Sequence, residues 1–365
     1  MRCLLSLGAL YLLASSALAV PLDKRSATKS FAGGNNYYAA ALPSSEWETL
    51  FSGMQGAGMK VLRAWIGHQD ASQKGSDSSY MPDLEENGIG QYNDQILKAF
   101  DAMMLVAHKY DIKILLTMHS FNALQANDAY GKIYGTGYFY EESAATTQFD
   151  ARLSHILNHN HTTLGKPWKE LKDYFFAVEA ENEAMIGKGA DYIAAHASWQ
   201  CDRAKTIKGI LGDNSGILVT TGGESWVSES MQPAYFSCEY LDMVSVHGYG
   251  DELSSIPAAV QTAKNAGKKL LFEEWGICYN TNSNNDCPSG GSVNSNRDSE
   301  IAQWSSAMNS AGLPWLYWQF LTNPDPHQDW DYEIQVGGDN WSAIKSASQA
   351  AANSTCAFDF SGYIN

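Results

Sequence analysis

Short apolar runs alternate with amphipathic stretches along most of the chain. Ser30–Tyr38, Lys60–Trp65, Ile112–His119 and Tyr174–Ala180 read as strands, followed by Gly216–Thr221, Met243–His247, Lys269–Trp275 and Pro314–Phe320. These runs are apolar almost throughout, not at every second position. That is the pattern of parallel strands covered on both faces. Between them, stretches such as Tyr92–Tyr110, Asp191–Leu211 and Ser299–Ala311 repeat apolar residues at helical spacing. Eight strand–helix units in one chain predict an α/β fold: a closed (β/α)8 TIM barrel forming a single domain. An open doubly wound sheet is the alternative, but no Gly-rich dinucleotide or phosphate loop follows the first strand. Gln69–Asn87 and Asn280–Asn296 read as long loops after strands two and seven, on the side where such barrels build their sites.

The ends of the chain set the expected compartment. Met1-Arg2, the apolar stretch Leu4–Ala17 and the small-residue pair Ala17 and Ala19 have the form of a secretory signal peptide over residues 1–19. Residues 20–25 then read as a short propeptide ending in Lys24-Arg25, and the catalytic domain as 26–365. No later segment is apolar for long enough to span a bilayer. A secreted, extracellular protein is therefore expected. Its formal net charge of −16 argues against binding nucleic acid or anionic membranes, and suits an uncharged polysaccharide partner. A monomer is expected.

Oxidation in the secretory route allows disulfides. Cys278 and Cys287 bracket a polar loop and are expected to pair, as are Cys201 and Cys238, which leaves Cys356 over. Sequons at Asn160, Asn340 and Asn353 suit a glycoprotein. No cysteine pair has zinc-site spacing with histidine. His155 and His159 share a helical spacing without an acidic partner, and read as a solvated helix end. Gly290-Gly291-Ser292-Val293-Asn294 lacks the second glycine of a serine-hydrolase elbow. No cofactor and no metal are expected.

Polar residues gather where the expected strands stop: Arg63, His119, Asn182-Glu183, His247-Gly248-Tyr249, Glu274 and Trp318. A side chain at the C-terminal end of a barrel strand faces the pocket. Glycoside hydrolysis needs one carboxyl that keeps its proton and one that has lost it, about 5–5.5 Å apart in retaining enzymes. Strands four and seven lie across a barrel mouth from one another, so Glu183 is expected as acid/base and Glu274 as nucleophile. Glu181, Glu179 and Glu273 are competing acids, because side chains alternate along a strand. Arg63 is expected to hold Glu274 ionised by charge pairing, Asn182 to hold a sugar 2-hydroxyl, and His247 and Tyr249 to orient the carboxylates. Trp318 is expected under the reacting sugar. His119 is a supporting candidate, and Glu224 and Trp226 are substrate-site candidates from their place after strand five.

These residues, in this order, resemble glycoside hydrolase family 5: Arg63, His119, Asn182-Glu183, His247-Gly248-Tyr249, Glu274-Trp275-Gly276 and Trp318. The resemblance covers nearly all of the chain after residue 25. It is most similar to the β-mannanase branch through Gly34-Asn35-Asn36-Tyr37, Val61–Trp65 and Glu273–Gly276. It implies a retaining hydrolase, an endo-β-1,4-mannanase before others, with a β-glucanase or an inactive carbohydrate-binding protein on the same fold as alternatives. Two departures stand out. Ala184 follows the expected acid where the family has Pro, and strand five ends Thr221-Gly222-Gly223-Glu224, which matches no family pattern.

Overall fold

The computed structural model describes residues 28–364, except 251, 282–284, 286, 288–290 and 329. The expected signal peptide and propeptide lie outside the described residues. Eight parallel strands form the inner wall: β1 (Ala32–Asn35), β2 (Val61–Trp65), β3 (Lys113–Thr117), β4 (Phe175–Glu179), β5 (Leu218–Thr220), β6 (Met243–His247), β7 (Lys269–Trp275) and β8 (Trp315–Tyr317). Their order is β5-β4-β3-β2-β1-β8-β7-β6, a nearly closed barrel. A short parallel pair, β9 (Phe320–Leu321) and β10 (Ile334–Gln335), follows β8.

Helices fill the crossovers. α1 (Ser44–Gly56) follows β1, and α2 (Gln95–Lys109) follows β2. Three helices separate β3 from β4: α3 (Phe121–Gln125), α4 (Ala129–Glu141) and α5 (Ser143–Leu157). α6 (Ala190–His196) and α7 (Ser198–Leu211) precede β5, while α8 (Val227–Ser230) and α9 (Pro233–Ser237) precede β6. α10 (Ile256–Asn265), α11 (Arg297–Ala311) and α12 (Trp341–Asn353) complete the ring. β1 to β8 are buried on both faces but for their first residues in β3 and β7, as continuous apolar runs require.

All eight expected strands form, though several are shorter than their apolar runs. Pro314–Phe320 splits into β8 and β9 around Trp318, whose N–H still reaches Trp275 O at 2.8 Å and which lines the pocket, and Asp191–Leu211 divides at Ala197. A register shift between β6 and β7 matters for the site: Val246 pairs with Phe272, but His247 pairs with Glu274. One extra residue on β7 breaks strict alternation there, so Glu273 and Glu274 both reach the polar end of the barrel.

The circle closes between β5 and β6 by a different means. Asp242 N–H donates to Val219 O at 2.9 Å, Val219 N–H donates to Asp242 Oδ2 at 2.8 Å, and hydroxyls do the rest. Thr220 Oγ1 lies 2.8 Å from Ser245 Oγ, and Ser245 N–H donates to Thr221 Oγ1 at 3.0 Å. The expected disulfides Cys201–Cys238 and Cys278–Cys287 are present, and Cys356 is a buried free thiol. His155 and His159 are not simply solvated: they pair with Asp94 at 2.6 Å and Asp101 at 3.0 Å. Among the described residues no helix is long and apolar enough to cross a membrane.

Candidate active site

The polar end of the barrel is organised around one buried guanidinium. Arg63, from β2, bonds Glu179 Oε1 through Nε at 3.1 Å and Nη2 at 2.7 Å. Nη2 also reaches Asn182 Oδ1 at 2.6 Å and lies 3.4 Å from Glu273 Oε2. Nη1 donates to Glu274 Oε1 and, at 3.3 Å, to Asn35 Oδ1. A planar fork with five donors is the side chain that can satisfy so many acceptors at once. Residues from β1, β2, β4 and β7 are thereby locked together.

His247, from β6, links the same acids from the other side. Its Nδ1 is 3.1 Å from Glu183 Oε1 and 3.5 Å from Glu274 Oε2, and its Nε2 is 3.2 Å from Glu273 Oε2. Burial disfavours its charge, but the carboxyls of Glu274, Glu183 and Glu273 overcome this and push it up to about 10. One imidazole is thus shared by three carboxyls, and Glu183, His247 and Glu274 form a cluster able to pass and hold protons. Burial pushes Glu179 far above the ordinary carboxyl range. Burial also works against the charge on Glu273, yet Arg63 and His247 outweigh it and hold that carboxyl below its ordinary value. Two buried cations, Arg63 and His247, thus face the carboxyls of Glu179, Glu273 and Glu274.

Arg63 pairs with Glu274 as expected, but burial opposes that pairing. Burial raises the Glu274 carboxyl, and His247, Arg63 and the Tyr249 hydroxyl draw it down without cancelling that rise. Tyr249 OH donates to Glu274 Oε2 at 2.8 Å. Glu183 stands on the facing loop after β4. Its backbone is left-handed, with φ of 50°, and its N–H donates to Gly222 O at 3.0 Å. Such a conformation costs about 1 kcal/mol or more and persists where the surroundings impose it. One ligand-type atom from each of Glu183, His247 and Glu274 lies within 4.8 Å of the others.

The Gly222-Gly223 pair explains the strand-five departure. A Cβ on Gly222 would sit 1.9 Å from Glu181 O, and one on Gly223 would sit 2.2 Å from the His247 ring. Only residues without side chains let this strand end pass between the acid and the histidine.

Of the expected site residues, Arg63, Asn182, Glu183, His247, Tyr249, Glu274 and Trp318 come together here. Trp226 joins them from the wall of the cavity, 46 % exposed. His119 does not reach the pair: Glu181 and Asp128 take its two nitrogens at 2.7 and 2.8 Å, and these acids push it up to about 9 against burial. It touches the groove only through Asp128, which also caps α4 by accepting from Gly131 N–H at 2.7 Å. Glu224 is fully buried, lines neither cavity, and has no partner for either carboxyl oxygen among the described residues. Burial, with Glu183 and Glu181 nearby, keeps its carboxyl well above the ordinary value.

Two cavities meet at Asn122, Asn182 and Trp318. One, about 680 Å³, holds Glu183, Glu274, Tyr249, Trp226 and Trp330. The other, about 470 Å³, runs past Tyr37, Trp65, His68 and Tyr80. Trp318 lies at their junction, stacked on Tyr37 at 6.1 Å and edge-on to Trp65 at 5.6 Å. The acids thus sit within an elongated groove. Sequence reasoning passed over Asn122, Asn285, Tyr332 and Trp330. Trp330, 63 % exposed, was signalled only by an aromatic in the Pro- and Asp-rich loop after β8.

The family model for cellulase (glycosyl hydrolase family 5) matches residues 22–323. The chain belongs to glycosyl hydrolase family 5. This family 5 hydrolase is 23 % identical over 359 residues to a probable mannan endo-1,4-beta-mannosidase A of Aspergillus flavus, covering 90 % of this chain and 85 % of that one. It is 25 % identical over 351 residues to mannan endo-1,4-beta-mannosidase F of Aspergillus clavatus, covering 86 % and 73 %. In fold it is similar to the endo-1,4-beta-mannanase of Rhizomucor miehei, with TM-score 0.65, 18 % identity, and 89 % and 95 % of the two chains covered.

Proposed function

We propose that this hydrolase is a secreted endo-β-1,4-mannanase that cleaves with retention, using Glu183 as acid/base and Glu274 as nucleophile. The observation that carries the reading is the placement of the two carboxyls: oxygens of Glu183 and Glu274 lie within 4.8 Å of one another inside an open groove. Retaining glycosidases need a short separation, because one carboxyl must reach the anomeric carbon directly; inverting enzymes leave room for a water, with roughly 6.5–9.5 Å between the acids.

In the first step Glu183 gives its proton to the glycosidic oxygen while Glu274 attacks the anomeric carbon. The glycosidic bond breaks and a glycosyl ester forms. In the second step Glu183 takes a proton from water, the water oxygen attacks the same carbon, and Glu274 leaves as carboxylate. Arg63 on one oxygen of Glu274 and Tyr249 on the other favour the carboxylate both before attack and on departure. Arg63 fixes Asn182 by its Oδ1, so the amide nitrogen, held only by long bonds to Ser120 Oγ at 3.4 Å and Glu183 Oε2 at 3.5 Å, is placed to take a sugar hydroxyl. Trp318, at the junction of the cavities, suits the floor of the reacting sugar. A groove running past the acids on both sides suits attack within a polymer. The two disulfides and the mannosidase names of the relatives support the secreted, mannan-directed form of the reading.

The test combines variants with a substrate panel. Glu183→Gln and Glu274→Ala are each expected to abolish turnover on mannan with the fold intact. Wild type is expected to release mixed oligosaccharides from mannan faster than any product from cellulose, β-1,3-glucan or β-1,6-glucan. Activity in either variant removes the catalytic pair, and preference for a glucan makes the chain a β-glucanase. Retention on a polysaccharide column with no products would make it a binding protein.

A further inference from the structure

We propose that Asn285 is a positioning residue for the reaction: it fixes the Tyr249 loop onto the Glu274 loop and so sets the hydroxyl that holds the nucleophile. The inference rests on Glu274 being the nucleophile, as proposed above. Strand pairing between β6 and β7 ends with His247 opposite Glu274, and Gly248 N–H to Glu274 O at 3.0 Å is the last rung. Tyr249 comes next, beyond the ladder, yet its hydroxyl must meet Glu274 Oε2.

The Asn285 side chain supplies what the backbone no longer does. Its Nδ2 donates to Tyr249 O at 2.5 Å and to Gly276 O at 2.8 Å, and its Oδ1 accepts from Cys278 N–H at 2.9 Å. One amide thus joins one main-chain group after β6 to two after β7. The assignment of oxygen and nitrogen is forced, since the reverse would set an oxygen against two carbonyl oxygens.

Asn285 is itself anchored. Its φ is 54°, a left-handed conformation that asparagine tolerates better than most residues. Its main-chain oxygen accepts from Tyr332 OH at 2.6 Å, and the Cys278–Cys287 disulfide closes the loop around it. The Tyr332 and Tyr249 rings pack at 4.7 Å. No bond to either carboxyl of the pair is made by Asn285, so its effect passes through Tyr249.

The experiment uses the full-length enzyme on soluble mannan, comparing Asn285→Ala, Asn285→Asp, Tyr249→Phe and the double variant Asn285→Ala/Tyr249→Phe. Asn285→Asp has the same size, keeps the acceptor for Cys278 and loses both donors, so it reads the same role should the alanine variant fold poorly. The loss of one positioned hydrogen bond predicts a fall in kcat of about tenfold for Asn285→Ala. Its acid limb should move to higher pH in the direction of Tyr249→Phe, and the double variant should be little worse than Tyr249→Phe alone. A rise in KM with kcat and pH profile unchanged would make Asn285 a sugar contact and overturn the proposal. A lower melting temperature with an unmoved acid limb, or multiplicative effects in the double variant, would overturn it too. Glu274→Ala runs alongside: if it stays active, the nucleophile assignment fails, whatever Asn285 does.

Discussion

Arg63 is where a single change should be felt in both stability and chemistry. Arg63→Met keeps a stem of similar shape and removes the guanidinium, which leaves Glu179, Glu273 and Glu274 with His247 as their remaining buried cation. Removing one partner of a buried ion pair costs about 3–5 kcal/mol. With an unfolding entropy of about 2.1 cal/mol/K per residue, that lowers the melting temperature by roughly 4–7 °C for a domain of this size. The chemistry suffers separately. A cation bonded to a carboxyl lowers its pKa by about 1–3 units, and Glu274, already raised by burial, would lose that help. With Glu274 as the proposed nucleophile the form that attacks is the carboxylate, so the acid limb of kcat/KM should move up by a similar amount, with activity below it falling about tenfold per pH unit. Arg63→Lys keeps the charge but cannot hold Glu179, Asn182 and Glu274 together, so it should restore part of the acid limb and less of the stability. The assay is kcat/KM on soluble mannan across pH, with thermal unfolding in the same buffers. An Arg63→Met profile that superimposes on wild type, at an unchanged melting temperature, would refute the account of the cluster.

Three further outcomes follow from the same structure. Glu224 holds its proton in the fold above the pH at which an unfolded carboxyl loses it, so it stabilises at low pH and loses that contribution as pH rises above roughly 4.3. The stability of Glu224→Gln relative to wild type should therefore grow by up to about 1.4 kcal/mol per pH unit from there, and a constant difference in unfolding free energy would contradict it. His119 is raised from 6.5 to about 9 by Asp128 and Glu181, so its stabilising charge is complete below pH 6.5 and fades through pH 9; His119→Gln should flatten the melting temperature over that window, and an unaltered slope would count against it. Trp226→Ala and Trp330→Ala should each raise KM for mannan by roughly 5- to 30-fold, for about 1–2 kcal/mol of lost stacking, with kcat nearly kept; unchanged KM values would take both rings out of the substrate groove.

The barrel was legible because burial on both faces leaves continuous apolar runs, and eight of these cannot be mistaken for surface strands. The side chains that gather at the candidate site were legible for a related reason: each interrupts such a run at its C-terminal end, where a polar residue has no packing role. What stayed hidden depends on contacts across the chain. Alternation predicted that Glu273 and Glu274 face opposite ways, and the β6–β7 register shift, which no local pattern announces, brings both inward. His119 looked like its strand-end neighbours, but acids at 128 and 181 turn it away from the pair. Gly222-Gly223 had no readable reason until the ring of His247 and the carbonyl of Glu181 were seen against them. Asn285 and Trp330 lie in loops with no period at all.

The β5–β6 junction gives the barrel a preferred line of opening. Elsewhere neighbouring strands are zipped by repeated amide rungs; there, exchangeable hydroxyls, the Asp242 carboxylate and a single main-chain bond hold the wall together. Water competes well for side-chain acceptors, so the amide protons that face this join, those of Val219 and Ser245, should trade with solvent sooner than those of β2 and β3. His247 ends one of the two strands at that join, and the Gly222-Gly223 turn over it ends the other. Warming should therefore disarm the enzyme by parting this join before the rest of the molecule lets go.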